Sequence, residues 1–412
     1  MRGCFRRKTT THFVPKNPEL WLRPGADRRL KGGHCWVYSN EVDTTRSPLP
    51  DFEPGAPVTV YSASGNALAS AYMEPHSLIC ARLVHREADR ELDESLLGER
   101  IDAALDLRTR YFPGPYYRLI YGDSDGLSGI VVDRFGDYLV AQLNTAGADR
   151  YAESLVNALA DRLAPRGVLV RRDSRSRQEH DPGGESEVVL GEIPEQVLLE
   201  ENGARFHARL QEGQKTGWFY DHRDNRAVLA RHSQGRRVLD VYSYVGSWGI
   251  QAAAAGAAAV TCIDNSAPAL ELAAENARLN KVEDRVTLIH ARADAALRDL
   301  ADKGEQFDVV VLDPPAFVQR RKDLGKGRKA YQRINELALR VMGEQGLLVS
   351  ASCSMHLPEQ DLVSAMGAAA RRCQRQLRIT ALGSQAADHP VLPQVPETRY
   401  LKAVFAEVSP AG

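Results

Sequence analysis

The chain has 412 residues, 43% hydrophobic and 26% charged, the profile of an ordinary soluble globular protein long enough for two or three separate cores. Its formal net charge of −1 excludes a global basic footprint, so any nucleic-acid binding must rest on local patches. No apolar run approaches the roughly 20 residues that span a bilayer. The Arg-rich N-terminus lacks the apolar core of a signal peptide. The six cysteines are scattered without CxxC or Cys/His spacing, which argues against zinc and against a disulfide framework. The expectation is a reducing, cytoplasmic compartment.

Residues 1–16 read as a basic N-terminal arm. Residues 17–84 read as a small, β-rich domain: Pro57–Tyr61 and residues 78–84 are strand-like, with the turn signal Ser64-Gly-Asn66 between them. Ahead of them stands Lys31-Gly-Gly-His-Cys-Trp-Val-Tyr38. Residues 1–46 carry ten Lys/Arg against four Asp/Glu, a local basic patch, although such a run is commonly just a solvated face.

Residues 85–205 form an expected α+β middle domain. Residues 95–110 place Leu96, Leu97, Ile101, Ala104, Leu105 and Leu107 at helical spacing. The strand-like runs 128–133 and Tyr138–Leu143 flank Arg134-Phe-Gly-Asp137, a hairpin turn. A helix near 150–163 and the strand Gly167–Arg171 follow. The polar run 173–187 has no apolar period and reads as a mobile loop.

From residue 206 to 412 strands alternate with helices. Strands are expected at Arg237–Val241, 259–263, Val286–His290, Phe307–Leu312 and 347–351, with helices notably at 268–279 and 331–342. This is a doubly wound α/β pattern around a mostly parallel sheet.

The first of these strands runs into Asp240-Val-Tyr-Ser-Tyr-Val-Gly-Ser-Trp-Gly249, a strand, a loop and a helix start that lets a ligand approach the backbone. With only Gly246 and Gly249 it is not the G-x-G-x-x-G dinucleotide fingerprint. Asp240 at the strand end would repel a pyrophosphate and attract an ammonium, which points to a cofactor with an amino-acid moiety. Asp264, about 20 residues after the glycine loop, suits ribose hydroxyls. Asp294 can accept a hydrogen bond from an adenine amine, and Asp313 ends the fourth strand. One acid per strand end spells S-adenosylmethionine.

The last strand-like run ends in Ser352-Cys-Ser354. It delivers a thiol to the sheet edge where ligands bind in open α/β sheets. Asp313-Pro-Pro-Ala-Phe317 ends the neighbouring strand. On its own Cys353 reads equally as a small core hydrophobe. Arg320, Arg321 and the following residues to Lys329 form a second basic run, six basic residues against Asp323.

The order of these motifs, with Lys215-Thr-Gly-Trp-Phe-Tyr-Asp-His-Arg223 ahead of them, resembles the class I methyltransferases that make 5-methylcytidine in large-subunit ribosomal RNA, the ribosomal RNA large subunit methyltransferase I family. The resemblance covers nearly the whole chain from about residue 17. It includes a PUA-like segment at Gly33-His-Cys-Trp-Val-Tyr38, and Ala386-Ala-Asp-His-Pro390 with Tyr400-Leu-Lys402 near the C-terminus. It implies an α/β fold: a C-terminal Rossmann-like domain with a doubly wound, mostly parallel seven-stranded sheet, preceded by a PUA-like RNA-binding domain and the α+β domain.

The resemblance further implies S-adenosylmethionine held by Phe219, Asp221, Arg223, Asp240, Tyr242, Ser243, Gly246, Asp264, Asn265, Asp294 and Asp313. Cys353 would add to C6 of a cytosine whose C5 then becomes nucleophilic, with Asp313 on the base and Phe317 stacked on it. Pro314, Pro315 and Lys215 would line the substrate side. RNA would be gripped by Arg28, Arg29, Lys31, His34 and Trp36 and by Arg320 and Arg321. The implied partner is 23S ribosomal RNA, naked or in a pre-ribosomal particle, with no membrane and no metal; a homodimer is left open. Where the two-cysteine RNA subgroup carries Pro-Cys this chain has Pro315, so a single-cysteine mechanism follows and the base that releases the thiol is unidentified. Ala316 and Cys35 also depart from many relatives, which have Lys and Pro.

Three other readings compete. Methylation of an exocyclic base amine fits an Asp-Pro-Pro motif but gives Cys353 no role. A nicotinamide oxidoreductase is disfavoured by Asp240 and the missing third glycine. A non-catalytic RNA-binding or assembly factor would keep the fold without binding S-adenosylmethionine.

Overall fold

The computed structural model describes residues 17–172, 184–211 and 216–412. The N-terminal arm, most of the polar run from 173 and Lys215 lie outside the described residues.

Four sheets follow one another along the chain. The first contains β1 (Glu19–Trp21), β2 (Trp36–Tyr38), β3 (Pro57–Tyr61), β4 (Ala67–Met73) and β5 (Ile79–His85), in the order β1-β3-β4-β5-β2. The turn at Ser64–Asn66 closes the β3–β4 hairpin. The sequence reading passed from β3 to β5 and missed β4, whose Ala-Leu-Ala-Ser-Ala stretch has little β-branched or aromatic content.

The second sheet contains β6 (Tyr116–Tyr121), β7 (Ile130–Phe135), β8 (Tyr138–Leu143), β9 (Gly167–Arg171) and β10 (Glu187–Gly191), in the order β10-β9-β8-β7-β6. Phe135 opposes Tyr138, so a two-residue turn at Gly136 and Asp137 joins β7 to β8. Gly136 supplies the positive φ that such a turn requires. The helix Glu94–Tyr111 packs on this sheet, capped by the Asp93 side chain accepting from the Leu96 N–H. The helix expected near 150–163 is Ala152–Leu163, preceded by a short helix, Ala146–Arg150. A two-stranded hairpin, β11 (Val197–Glu201) and β12 (Ala204–Ala208), leads into the last sheet.

That sheet has seven strands: β13 (Arg237–Val241), β14 (Ala259–Asp264), β15 (Val286–His290), β16 (Phe307–Leu312), β17 (Met342–Ser352), β18 (Arg375–Gly383) and β19 (Lys402–Pro410). Their order is β15-β14-β13-β16-β17-β19-β18, and only β19 runs against its neighbours. The first five strands are those expected, with β17 extending further at its start, where Met342 pairs with Phe307 of β16.

Helices cover both faces, so the central strands β13, β16 and the end of β17 carry near-continuous apolar runs rather than alternating ones. Val238, Val260, Val309, Val311 and Val349 join one core with Trp218, Trp248 and the β11–β12 hairpin. Leu239, Val241, Ile263, Val310, Leu312 and Leu348 join the other, against the helices Ala293–Asp302, Leu324–Arg340 and Glu359–Arg372.

Buried charges join the sheets to one another. Trp36 donates its indole N–H to Asp123 at 2.9 Å, tying the first sheet to the second. Arg108 donates to both oxygens of Asp125 and to the Asp388 carbonyl, and the Arg118 N–H donates to the Asp388 carboxylate at 2.9 Å. Arg118 in turn grips Asp133 through two 2.8 Å hydrogen bonds. Forked guanidinium–carboxylate pairs of this kind fix orientation as well as distance. Among the described residues no helix is long and apolar enough to cross a membrane, and no group of three His, Cys, Asp or Glu is placed to hold a metal ion.

Candidate active site

The carboxyl ends of β13, β14, β16 and β17, with the loop after β15, open onto one cavity of about 800 Å3. The loop after β13 is its floor. Tyr242, Tyr244 and Gly246 take φ of +68°, +50° and +80°. Two non-glycine residues in the left-handed region store strain in one short turn. The turn is held because the Tyr242 and Ser243 N–H groups both donate to the Ile263 carbonyl, while the Tyr244 N–H donates to Asp264 at 2.8 Å. Gly246 then starts the helix Ser247–Ala254. A Cβ on Gly249 would stand 2.7 Å from the Cys262 sulfur, so glycine is what lets this helix lie directly on β14.

Asp240 sits behind the floor rather than in it. It is fully buried, and its Oδ2 accepts from the Gly249 N–H at 2.8 Å. Its Oδ1 and the hydroxyl of cavity-lining Ser243 have no hydrogen-bond partner among the described residues. Burial pushes the Asp240 carboxyl up to about 7, only partly opposed by the Gly249 N–H, with Asp313 and Asp264 adding repulsion. The unfolded chain titrates near about 3.9. The folded protein therefore holds this proton more tightly, and stability is lost as pH rises from the unfolded value through about 7. Asp240→Asn removes that loss while keeping an acceptor for Gly249. It is expected to stabilise the ligand-free protein by on the order of 2 kcal/mol at pH 8, and by less at pH 5.5, in thermal unfolding followed by calorimetry.

The other strand-end acids face the cavity. Asp264 accepts from the N–H groups of Tyr244 and Ser266, at 2.8 and 2.9 Å. Asp294 pairs with Arg292 at 3.2 Å and Arg298 at 3.4 Å. Asp313 accepts from the Trp248 indole at 3.0 Å and lies 3.3 Å from Nε2 of buried His222. Burial alone would raise the Asp313 carboxyl, but His222 and Trp248 outweigh it and hold the group below the usual carboxylate range.

Cys353 lines the same cavity, one residue beyond β17. The serines beside it are anchors: the buried Tyr331 hydroxyl bonds Ser352 at 2.7 Å and Ser354 at 3.2 Å, and the Ser354 hydroxyl accepts from the Val318 N–H. The loop after β16 and the loop after β17 are thereby stitched together, with Phe317 against the Tyr331 ring at 4.9 Å. Among the other described cysteines, burial pushes Cys80 up to about 12 and raises Cys35, Cys262 and Cys373, and none of them reaches the cavity.

Of the residues singled out in the sequence, the structure brings together Phe219, Asp221, Tyr242, Ser243, Asp264, Asn265, Asp294, Asp313, Pro314, Pro315, Phe317 and Cys353 around this cavity. Asp240 and Gly246 support it from behind. Arg223 points away, donating to Glu201 at 3.4 Å with its guanidinium 4.4 Å over the Phe112 ring, so it joins domains instead of lining the pocket. Arg320 and Arg321 are exposed on the approach to the helix Leu324–Arg340 and do not line it. Arg28, Arg29 and Lys31 are exposed on the first domain, where Arg29 pairs with Glu41 at 3.1 Å and Lys31 with Asp27. His34 and Trp36 are buried there, Trp36 at the junction with the second sheet.

The sequence reading did not assign His222, Arg226, Trp248, Arg333 or Tyr400, all of which line the cavity. His222, Trp248 and Tyr400 stand inside motifs already noted, next to residues that were chosen. Arg226 and Arg333 carry no local signal. The Tyr400 hydroxyl donates to Asp221, and burial together with that carboxylate raises the phenol well above its ordinary value.

Comparison with known proteins agrees with this picture. Residues 20–86 match a PUA-like domain and residues 150–358 match the S-adenosylmethionine-dependent methyltransferase family. The chain is 34% identical over 391 residues to a protein named ribosomal RNA large subunit methyltransferase I from Pseudoalteromonas atlantica, covering 94% of this chain and 98% of that one. It is 35% identical over 395 residues to the protein of the same name from Shewanella denitrificans, with the same coverage. Among solved structures, SMU.776, described as a methyltransferase and solved in complex with SAH, superposes with a TM-score of 0.82 at 21% identity, covering 95% of this chain and all of that one. A Streptococcus mutans protein described as a SAM-dependent methyltransferase gives 0.81 at 20% identity, covering 95% of this chain and 100% of that one.

Proposed function

The chain belongs to the ribosomal RNA large subunit methyltransferase I family of S-adenosylmethionine-dependent enzymes, and we propose on that premise that it methylates C5 of a cytosine in large-subunit ribosomal RNA through a transient bond from Cys353 to C6. The observation that carries the reading is the position of Cys353: it shares one cavity with a run of strand-end carboxylates.

The donor set suits the cofactor. The unpartnered Ser243 hydroxyl and the carboxylates of Asp221, Asp264 and Asp294 match an ammonium, two ribose hydroxyls and an adenine amine. Phe219, Tyr242 and Asn265 would complete its contacts. When bound, S-adenosylmethionine supplies an electrophilic methyl group.

The chain's own residues then prepare the base. A cytosine C5 is a poor nucleophile, and addition of the Cys353 thiolate at C6 pushes electrons onto it. Asp313, held ionised by His222 and Trp248, would accept from the cytosine amine and fix the ring over the thiol. Phe317, braced by Tyr331, offers a stacking face for a base taken out of its helix. Loss of the C5 proton expels the thiolate and restores aromaticity. Arg28, Arg29 and Lys31 on the PUA-like domain and Arg320 and Arg321 beside the cavity would bind phosphates, which makes RNA affinity fall with salt.

Mass mapping of modified cytosines in ribosomal RNA tests the reading. RNA from cells lacking the protein should miss one 5-methylcytosine, restored by the purified protein with S-adenosylmethionine. An unchanged cytosine map with an altered amino-methylated base would favour the amine-methylating alternative.

A further inference from the structure

We infer that Lys402 is the positioning residue that keeps Cys353 as a thiolate, an inference that rests on the reading of Cys353 as the attacking group. Lys402 opens β19, the antiparallel strand inserted beside β17, and its register partner is Ser352, the residue before Cys353. Its side chain is buried, and its Nζ donates at 2.6 Å to the carbonyl of Ser354, the residue after Cys353. A long cationic side chain thus lies along the segment that presents the thiol, and Cys353 lines the cavity whereas Lys402 does not.

A buried ammonium needs a counter-charge. The hydrogen-bond acceptor here is a neutral carbonyl. Glu359 is already paired with Arg399 at 3.3 Å, and Arg399 repels the lysine. Tyr331, the other ionisable group packed against this segment, is raised by burial and stays a neutral hydroxyl bonded to the two serines. What remains as the main negative partner is Cys353. Burial lowers the lysine to about 8, and among the nearby charges Cys353 is the one that most opposes that fall. The coupling is mutual: whatever the thiolate does to hold the ammonium charged, the ammonium does to hold the thiol ionised.

The proton balance is simple. Cys353 gives its proton to solvent while Lys402 keeps its own. The sulfur pair becomes the S–C6 bond and displaces the C5–C6 π pair onto C5, which takes the methyl group; when the C5 proton leaves, its C–H pair rebuilds the C5–C6 double bond and the S–C6 pair returns to sulfur, beside the same ammonium. Lys402 therefore favours both attack and release without exchanging a proton, and the group that takes the C5 proton is a separate one.

The test is the alkylation rate of Cys353 by iodoacetamide, read by peptide mass spectrometry from about pH 6 to about pH 10. The full chain is used, unaltered and as Lys402→Met and Lys402→Arg. The unaltered protein should react at pH 7 at least about tenfold faster than Lys402→Met, with Lys402→Arg within about fivefold of the unaltered protein. Calorimetric S-adenosylmethionine binding checks each fold. A Cys353 rate in the unaltered protein that climbs only around the ordinary cysteine range near about pH 8.5 overturns the inference, whatever the variants do. So does an identical profile in a folded Lys402→Met. The two readings fail separately: a Lys402-dependent profile with methyl transfer surviving in Cys353→Ala refutes the attack mechanism and leaves the pair standing, and the reverse pattern refutes the pair alone.

Discussion

Cys353→Ala is expected to abolish methyl transfer to ribosomal RNA, by a factor of at least about 10³, while S-adenosylmethionine binding changes by no more than about twofold. The separation follows from geometry. Cys353 is flanked by the two anchored serines and stands at the β17 end of the cavity, whereas the acids matched to the cofactor lie at the end of β14, just after β15 and in the turn before the helix Arg223–Arg231. The substitution removes the one atom that can activate C5 and touches no strand pairing. RNA carrying 5-fluorocytosine gives a sharper readout, because fluorine at C5 blocks the proton loss that expels the thiol. The unaltered protein should then accumulate an adduct that survives denaturing electrophoresis, and Cys353→Ala should form none. Retained transfer in Cys353→Ala would favour an exocyclic amine as the acceptor, for which no covalent activation is needed.

The second large effect is on stability. Glu201, at the end of β11, is 3% exposed and takes four donors: Arg226 at 2.7 Å, Gln251 at 2.9 Å, Trp218 at 3.1 Å and Arg223 at 3.4 Å. Arg226 is itself buried, lines the cavity and donates onward to the Phe219 carbonyl and the Ser247 hydroxyl. Glu201→Ala leaves two buried guanidinium groups without their carboxylate, which costs about 3–5 kcal/mol, far more than the intact arrangement contributes over an apolar substitute. Glu201→Gln keeps the acceptor on one side and should cost less. Urea unfolding of the last domain, followed by tryptophan fluorescence from Trp218 and Trp248, reads the difference. Because Arg226 also holds the Phe219 carbonyl, the loss of stability should be accompanied by weaker cofactor binding.

Much of the last sheet could be read locally. Strands β13, β14, β16 and the end of β17 are buried on both faces, so their apolar runs stand out against the helices between them. Strand β18 was not legible: it alternates half-buried and exposed positions and carries two arginines, as an edge strand does. Strand β19 has an apolar run at Ala403–Ala406, but nothing nearby in the sequence says that it inserts between β17 and β18, since that is a long-range pairing. The same division runs through the site. Asp264, Asp294 and Asp313 were visible because each ends a strand or follows one within four residues. His222, Arg226 and Tyr400 meet them only after the chain has folded, from segments that precede β13 or follow β18. Arg223, chosen for its neighbours, turned out to serve Glu201, because a one-residue step along a helix swings a side chain about 100° around the axis.

The insertion of β19 has a consequence for the order in which the protein is made. Every other strand of the last sheet precedes it, and the strand it separates from β17 is made before it. Until residues 400–410 have emerged during translation, β17 has an open edge and the cavity lacks Tyr400 and the lysine behind the thiol. A nascent chain can therefore complete its first two sheets, and much of its last one, and still carry an unfinished active site. Completion of the site therefore awaits β19, and a chain stopped short of it would lack residues that the cavity and the thiol segment need while keeping most of its other elements.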